Sequence, residues 1–364
     1  MQCLKSVKEE EMNRVYRTVW NCTRKIWVVA GERDSTGGKG RGVFSKAVSA
    51  LSPARYLGRP ALMAVVLCGA APSYAGTSSW VGGTGDWSEP TNWNNGVPVN
   101  YTLNAYIQNG GTVQVTSGSW GGGEIRVGFN AGTTGTVTVE GDDAVLGVGY
   151  FGYVGHFGTG TLSIGNGGRV EGDNLVLGMK ASGSGIVTVD GLGSMLDDGG
   201  SHYVGMEGSG SLTLSNGGSV RVKSGAGSVA IGSSGVLNIG AAAGDSAVAA
   251  GSVIAAEVRF GSGTGALVFN HTDSNYLFSP AITGSGSVSL YSGTTTLSGS
   301  NTYSGTTTIN GGTLKVNNGS GSATGAGSVN VNGGGTLWVV AVRSAVPSVW
   351  PMAAPWRQAT HLAI

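Results

Sequence analysis

The chain has 364 residues, of which 68 are glycine and only 9 proline, and charged residues make up 11%. Glycine does not recur at every third position, which excludes a collagen triple helix. Val, Ile, Leu and Thr alternate with it in short runs that read as half-buried strands rather than disorder. The net charge of +1 hides a split between a leader of +7 over residues 1–75 and a body of −6. Such a body lacks the basic stripe that phosphates require, so nucleic acid is excluded as its partner.

Met12 reads as the start, with residues 1–11 as upstream read-through. Taken alone, residues 12–40 would suit a small amphipathic helix. A basic, Gly-rich stretch from Gly37 to Arg59 leads into the apolar run Ala61-Leu62-Met63-Ala64-Val65-Val66-Leu67-Cys68, and Ser73-Tyr74-Ala75 closes it. A positive region, a short apolar region and small residues at −3 and −1 make a signal peptide, with cleavage expected between Ala75 and Gly76. The apolar run is shorter than the roughly 20 residues that span a bilayer. Gly38-Lys39 is not a phosphate loop, because Arg33 and Gly40 stand where a glycine and a Ser or Thr are needed. Cys3, Cys22 and Cys68 all lie in this leader, so the body cannot be stapled by disulfides and must draw its stability from stacked strands. The start Met12-Asn13-Arg14-Val15-Tyr16-Arg17, the pair Trp20-Asn21 and the later Trp27-Val28 with Glu32 resemble the extended signal peptide of type V secretion proteins. That resemblance implies export through the Sec machinery, with residues 12–75 as the extended signal peptide.

Residues 76–110 form a Trp-rich start and residues 111–339 a repeat. The unit Gly-x-apolar-x-apolar begins at Gly135, Gly160, Gly185, Gly210 and Gly235, each 25 residues after the last. Looser copies begin at Gly111, Gly265, Gly286, Gly312 and Gly335, and turns such as Asn166-Gly167-Gly168 and Asn216-Gly217-Gly218 separate them. Each unit is read as one coil of an all-β, parallel β-solenoid of about ten coils, with Val137 and Val139 inward and Thr136 and Thr138 outward. Leu162 should then lie between Val137 and Val187 in an apolar ladder that no single coil could bury. A β-propeller would need longer repeats of four antiparallel strands. Residues 80–98, from Trp80-Val81-Gly82-Gly83 to Val97-Pro98, resemble the start of autotransporter passenger domains. Residues 297–318, Leu297-Ser298-Gly299-Ser300-Asn301-Thr302-Tyr303-Ser304-Gly305 onward, resemble the autotransporter-associated β-strand repeat. The family implies a right-handed parallel β-helix carried to the cell surface of a Gram-negative bacterium.

No catalytic constellation emerges, no cofactor is called for, and the chain is expected not to be an enzyme. His156, His202, His271 and His361 are isolated and read as solvated turn residues. Asp142-Asp143 and Asp197-Asp198 are the sharpest polar feature, but 55 residues separate them, about two coils and not certainly one face. Gly82-Gly83-Thr84-Gly85-Asp86 misses the calcium-binding nonapeptide by one residue. Trp80, Trp87, Trp93 and Trp120 could stack on sugar rings, or cap the first coil and shield its open edge.

After Val339 the repeat ends, and residues 340–364 hold no glycine. Read one base earlier, codons for Val339–Ser344 can spell Gly-Gly-Ser-Gly-Thr-Val, so a frameshift is one explanation of this tail. It would also account for the lack of the outer-membrane barrel expected in a full-length form. The expectation is a structural or adhesive surface passenger, periplasmic if truncated as shown, with a host-cell or matrix surface as partner. A β-helix enzyme that processes polysaccharides is the alternative.

Overall fold

In the computed structural model, residues 76–99, 101–318 and 321–339 are described in full, together with the backbone of two leader strands. The expected read-through, the apolar signal segment, Ala75, His361 and the tail after Val339 lie outside the described residues. In the leader, Tyr16–Asn21 pairs antiparallel with Ile26–Gly31, with Trp20 opposite Trp27. A hairpin replaces the amphipathic helix because the segment is rich in Val, Ile and Trp, which favour extended backbone.

The body is a parallel β-solenoid whose coils follow from alternation. Along Thr134–Glu140, Val137 and Val139 are buried while Thr136 and Thr138 are half-exposed. This strand pairs in register with Thr159–Gly165, which pairs with Ser184–Asp190, then Ser209–Ser215, then Gly235–Gly240. Val137, Leu162, Val187, Leu212 and Leu237 therefore form one buried ladder, as the 25-residue spacing requires. This first sheet has eleven strands, from Thr84–Asp86 to Val329–Val331. Each coil then bends through a second strand, such as Met195–Asp198, and a third, such as His202–Val204. In the early coils these two faces are one continuous strand, Ser119–Val127 or Val145–Val154, with a register shift between Gly122 and Glu124.

Glycine sets the corner between the third strand and the next coil. Gly155 has φ +74°, and a Cβ there would lie 2.1 Å from the Ser184 carbonyl oxygen. Only glycine takes that conformation and permits that approach.

The period does not hold to the end. Leu237 pairs with Leu267, Leu267 with Val288, Val288 with Thr307, and Thr307 with Val329. The steps become 30, 21, 19 and 22 residues. The longest step holds an excursion after Gly240, tied down by Asn270, whose Nδ2 donates to the carbonyls of Ala242 and Asp245. The last two copies of the repeat unit are misplaced by sequence reasoning. Gly312–Val316 and Gly335–Val339 belong to a separate four-stranded sheet with Tyr276–Phe278 and Thr294–Leu297, not to the first sheet. Their local pattern is that of any half-buried strand, so it does not specify the face. Thr307–Ile309 and Val329–Val331 take the expected places.

Within Leu297–Val316, Asn301 joins three coils. It accepts from the Ile282 N–H at 2.8 Å and donates to the Ala323 carbonyl at 2.5 Å. Tyr303 is fully buried, and its hydroxyl bonds to Oγ1 of Thr307 at 2.5 Å.

Candidate functional site

The tryptophans of the first coil come together, and they face inward. Trp80, Trp87 and Trp93 are all buried. Trp93 meets Trp80 edge-on at 5.2 Å and Trp87 at 4.9 Å. Their indole N–H groups donate to the carbonyls of Gly83, Pro98 and Trp87. Buried rings with satisfied donors present no free face to a sugar in solution. Trp120 is half-buried and donates to the Ser117 carbonyl. Gly76, on the far side of the expected cleavage, lies just before the first body strand, Thr77–Ser79.

The two acid pairs do not share a site. Asp142 and Asp143 sit in an exposed turn between the first and second faces, whereas Asp197 and Asp198 lie within the second-face strand. Asp197 is held by Arg221 one coil on, and that hydrogen bond keeps its carboxyl below the ordinary range. Among the described residues, no group of three or more His, Cys, Asp or Glu side chains is placed to hold a metal.

The histidines overturn the expectation of solvated turns. His156, His202 and His271 are buried, the last two at 0% exposure. His202 points inward because it occupies the ladder position of Leu175 and Val229. Its Nδ1 lies 2.5 Å from Oδ2 of Asp198, which is also buried, and its Nε2 has no hydrogen-bond partner among the described residues. Burial pushes the Asp198 carboxyl up, and His202 opposes that rise.

Chemistry reaches solvent on the third face instead. Tyr106, Arg126 and Tyr153 occupy one half-exposed column, which continues through the buried Val176 to Tyr203. The Arg126 guanidinium lies over the rings of Tyr106, Phe129 and Tyr153 at 5.4, 4.7 and 5.2 Å, and Glu124 binds it through two nitrogens. Phe151, Tyr153, His156 and Phe157 form a run of near-parallel rings 4.7–5.7 Å apart. Phe151 and Phe157 end that run and are exposed. Burial, then Arg126 and Lys180, lower the His156 pKa, which favours the neutral ring within the stack. Beside this platform, Tyr101, Tyr150, Glu171 and Asp173 border a groove of about 520 Å³.

Sequence reasoning missed the platform because Tyr106, Arg126 and Tyr153 are 20 and 27 residues apart, off the 25-residue period. A second signal was present. Arg126-Val127-Gly128-Phe129, Tyr153-Val154-Gly155-His156 and Tyr203-Val204-Gly205-Met206 share the order outward residue, Val, Gly, bulky residue.

Comparison with known families places two segments. Residues 12–61 match the extended signal peptide of the type V secretion system. Residues 283–316 match the passenger-associated transport repeat, the stretch that contains Asn301 and Tyr303. No curated protein and no solved structure matches the chain.

Proposed function

Leader, stacked solenoid and transport repeat together fit an autotransporter passenger domain exported through the Sec route, and from that premise we propose a non-catalytic, adhesive role at the cell surface. The observation that carries this reading is the aromatic platform of Phe151, Tyr153, His156 and Phe157, formed by the end of one strand and the bend after it and exposed at both end rings. Soluble proteins bury such surface unless a partner covers it. Arg126, clamped by Glu124, lies over Tyr153 and so anchors the ring at the platform's centre, which limits the ordering entropy lost on binding. A host-cell or matrix surface is the partner such a platform suits, and a β-barrel in the outer membrane is the route we assign to the surface.

The test is adhesion of the labelled chain to cultured cells and matrix-coated wells. The double variant Phe151→Ser, Phe157→Ser should lose most binding while its far-UV circular dichroism is unchanged. Equal adhesion by the variant would refute the assignment of the platform. A polysaccharide-processing enzyme stays the second reading, because Glu171 and Asp173 place two carboxylates on one groove.

A further inference from the structure

We infer that the groove beside the platform is a binding subsite for neutral saccharide, with Tyr101 as its stacking floor. The inference rests on the adhesive reading and names the ligand class of that surface.

Tyr101 is 48% exposed and has φ +61°. That left-handed conformation strains a tyrosine and suits glycine. Strain of this kind persists only where the surrounding structure holds it, and it clusters at ligand-binding sites. The ring lies across bare backbone. A Cβ at Gly147 would come within 2.8 Å of the Tyr101 hydroxyl, and one at Gly149 within 3.1 Å of its ring. The position of Gly147 carries Glu171 and Asp197 in the next coils, and it is left empty where the ring lies.

The rest of the groove supplies polar chemistry. Tyr150 is exposed on one side. Glu171 is fixed by Arg169, with Nη2 at 2.9 Å, while the exposed Asp173 carboxylate accepts from no donor among the described residues. A flat ring beside carboxylate acceptors matches a pyranose, which offers an apolar C–H face and a rim of hydroxyl donors. Acidic sugars would meet like charge at Asp173 and Glu171. A cationic headgroup would call for several rings closing around it, whereas only two tyrosines border this open trough of about 520 Å³.

The experiment presents the full chain to an array of neutral hexose and N-acetylhexosamine oligomers, with uronate-containing oligomers as the acidic set, followed by calorimetry on the hits. Neutral oligomers should bind in preference to uronates. Tyr101→Gly relieves the backbone and removes the ring, so the fold is retained while affinity falls about tenfold, the scale of one ring-sized contact. Tyr101→Phe should bind like the native chain, and Asp173→Asn should narrow the preference for neutral over uronate oligomers. Failure of every neutral oligomer to bind, or a Tyr101→Gly variant with native affinity, overturns the proposal. So does binding of a Lys-rich peptide in the groove with no glycan bound. Cell adhesion that persists without glycan binding sinks the saccharide subsite and leaves the adhesive reading standing. Shortening of a bound oligomer does the reverse: the ligand class holds and the non-catalytic reading fails.

Discussion

Replacing His202 by leucine should destabilise the coil that contains it, although leucine matches the apolar residues stacked on either side. His202 is in register with Leu175 and Val229, and Asp198 with Gly172 and Val222. The pair is an ionisable island in an otherwise apolar ladder, with exposures of 0% and 3%. Removing one partner of a buried pair typically costs about 3–5 kcal/mol, because the other is left uncompensated. His202→Leu strands the Asp198 carboxylate and should lose about that much. Asp198→Val strands a ring whose Nε2 already lacks a partner among the described residues, and should lose about 1–3 kcal/mol. The double variant Asp198→Val, His202→Leu restores the ladder and should equal or exceed native stability, since apolar replacement of buried pairs is often neutral or stabilising by about 1–4 kcal/mol.

Urea unfolding followed by circular dichroism gives the four corners of the cycle, with a coupling of about 3 kcal/mol or more expected. The deficit of His202→Leu should also depend on pH. Burial raises the folded carboxyl above its ordinary 3.8, so the folded state holds that proton more tightly than the unfolded one. His202 opposes that rise, so its loss lifts the folded carboxyl further: protonated Asp198 is tolerated in both chains at low pH, and the deficit grows as pH rises above the native folded value. A His202→Leu variant as stable as the native chain at neutral pH would refute the reasoning, as would a double variant worse than either single change.

Other perturbations follow from neighbouring features. Gly155 and Gly132 share φ +74°, but a Cβ at Gly132 meets nothing within 4 Å. Gly132→Ala should cost about 1–2 kcal/mol from the left-handed conformation alone, whereas Gly155→Ala, which drives a Cβ into a backbone carbonyl, should cost more than about 3 kcal/mol; thermal melts of the pair check this. Asn301→Ala orphans the Ile282 N–H and the Ala323 carbonyl, at about 1–3 kcal/mol each, and hydrogen exchange should show the Ile282 amide losing protection. Tyr303 is pushed up to about 12 by burial, so its contribution is whole below pH 10 and is lost as pH rises toward 12. Tyrosinate absorbance should show this ring titrating together with alkaline unfolding of the last coils, and ionisation near pH 10 in the folded chain would contradict its burial.

The solenoid was legible because Val137, Leu162, Val187, Leu212 and Leu237 stand at one spacing, and parallel stacking makes equal spacing a condition of register. Beyond Leu237 the spacing changes, and the local pattern of Gly312–Val316 could not say which face it joins. His202 was misread for a related reason. Its phase along the coil places it inward, but a histidine beside a tyrosine and glycines looks like a turn until the strand is aligned with Leu175. The platform and groove combine residues from turns of different length, so Tyr101, Gly147 and Asp173 become neighbours only after three coils are stacked.

The four equal steps between Gly135 and Gly235 also make that stretch modular at the level of the gene. Excision of residues 160–184 would set Val137 against Val187 and Val139 against Val189, the same kind of pairing as before. Unequal recombination between such segments would lengthen or shorten the rod in whole-coil steps of about 4.8 Å. It would shift nothing else in phase. The coils after Leu237, joined by Asn270 and Asn301 through contacts peculiar to each, have no such freedom. Variation in reach is therefore confined to the middle of the molecule, between an aromatic start and a fixed end.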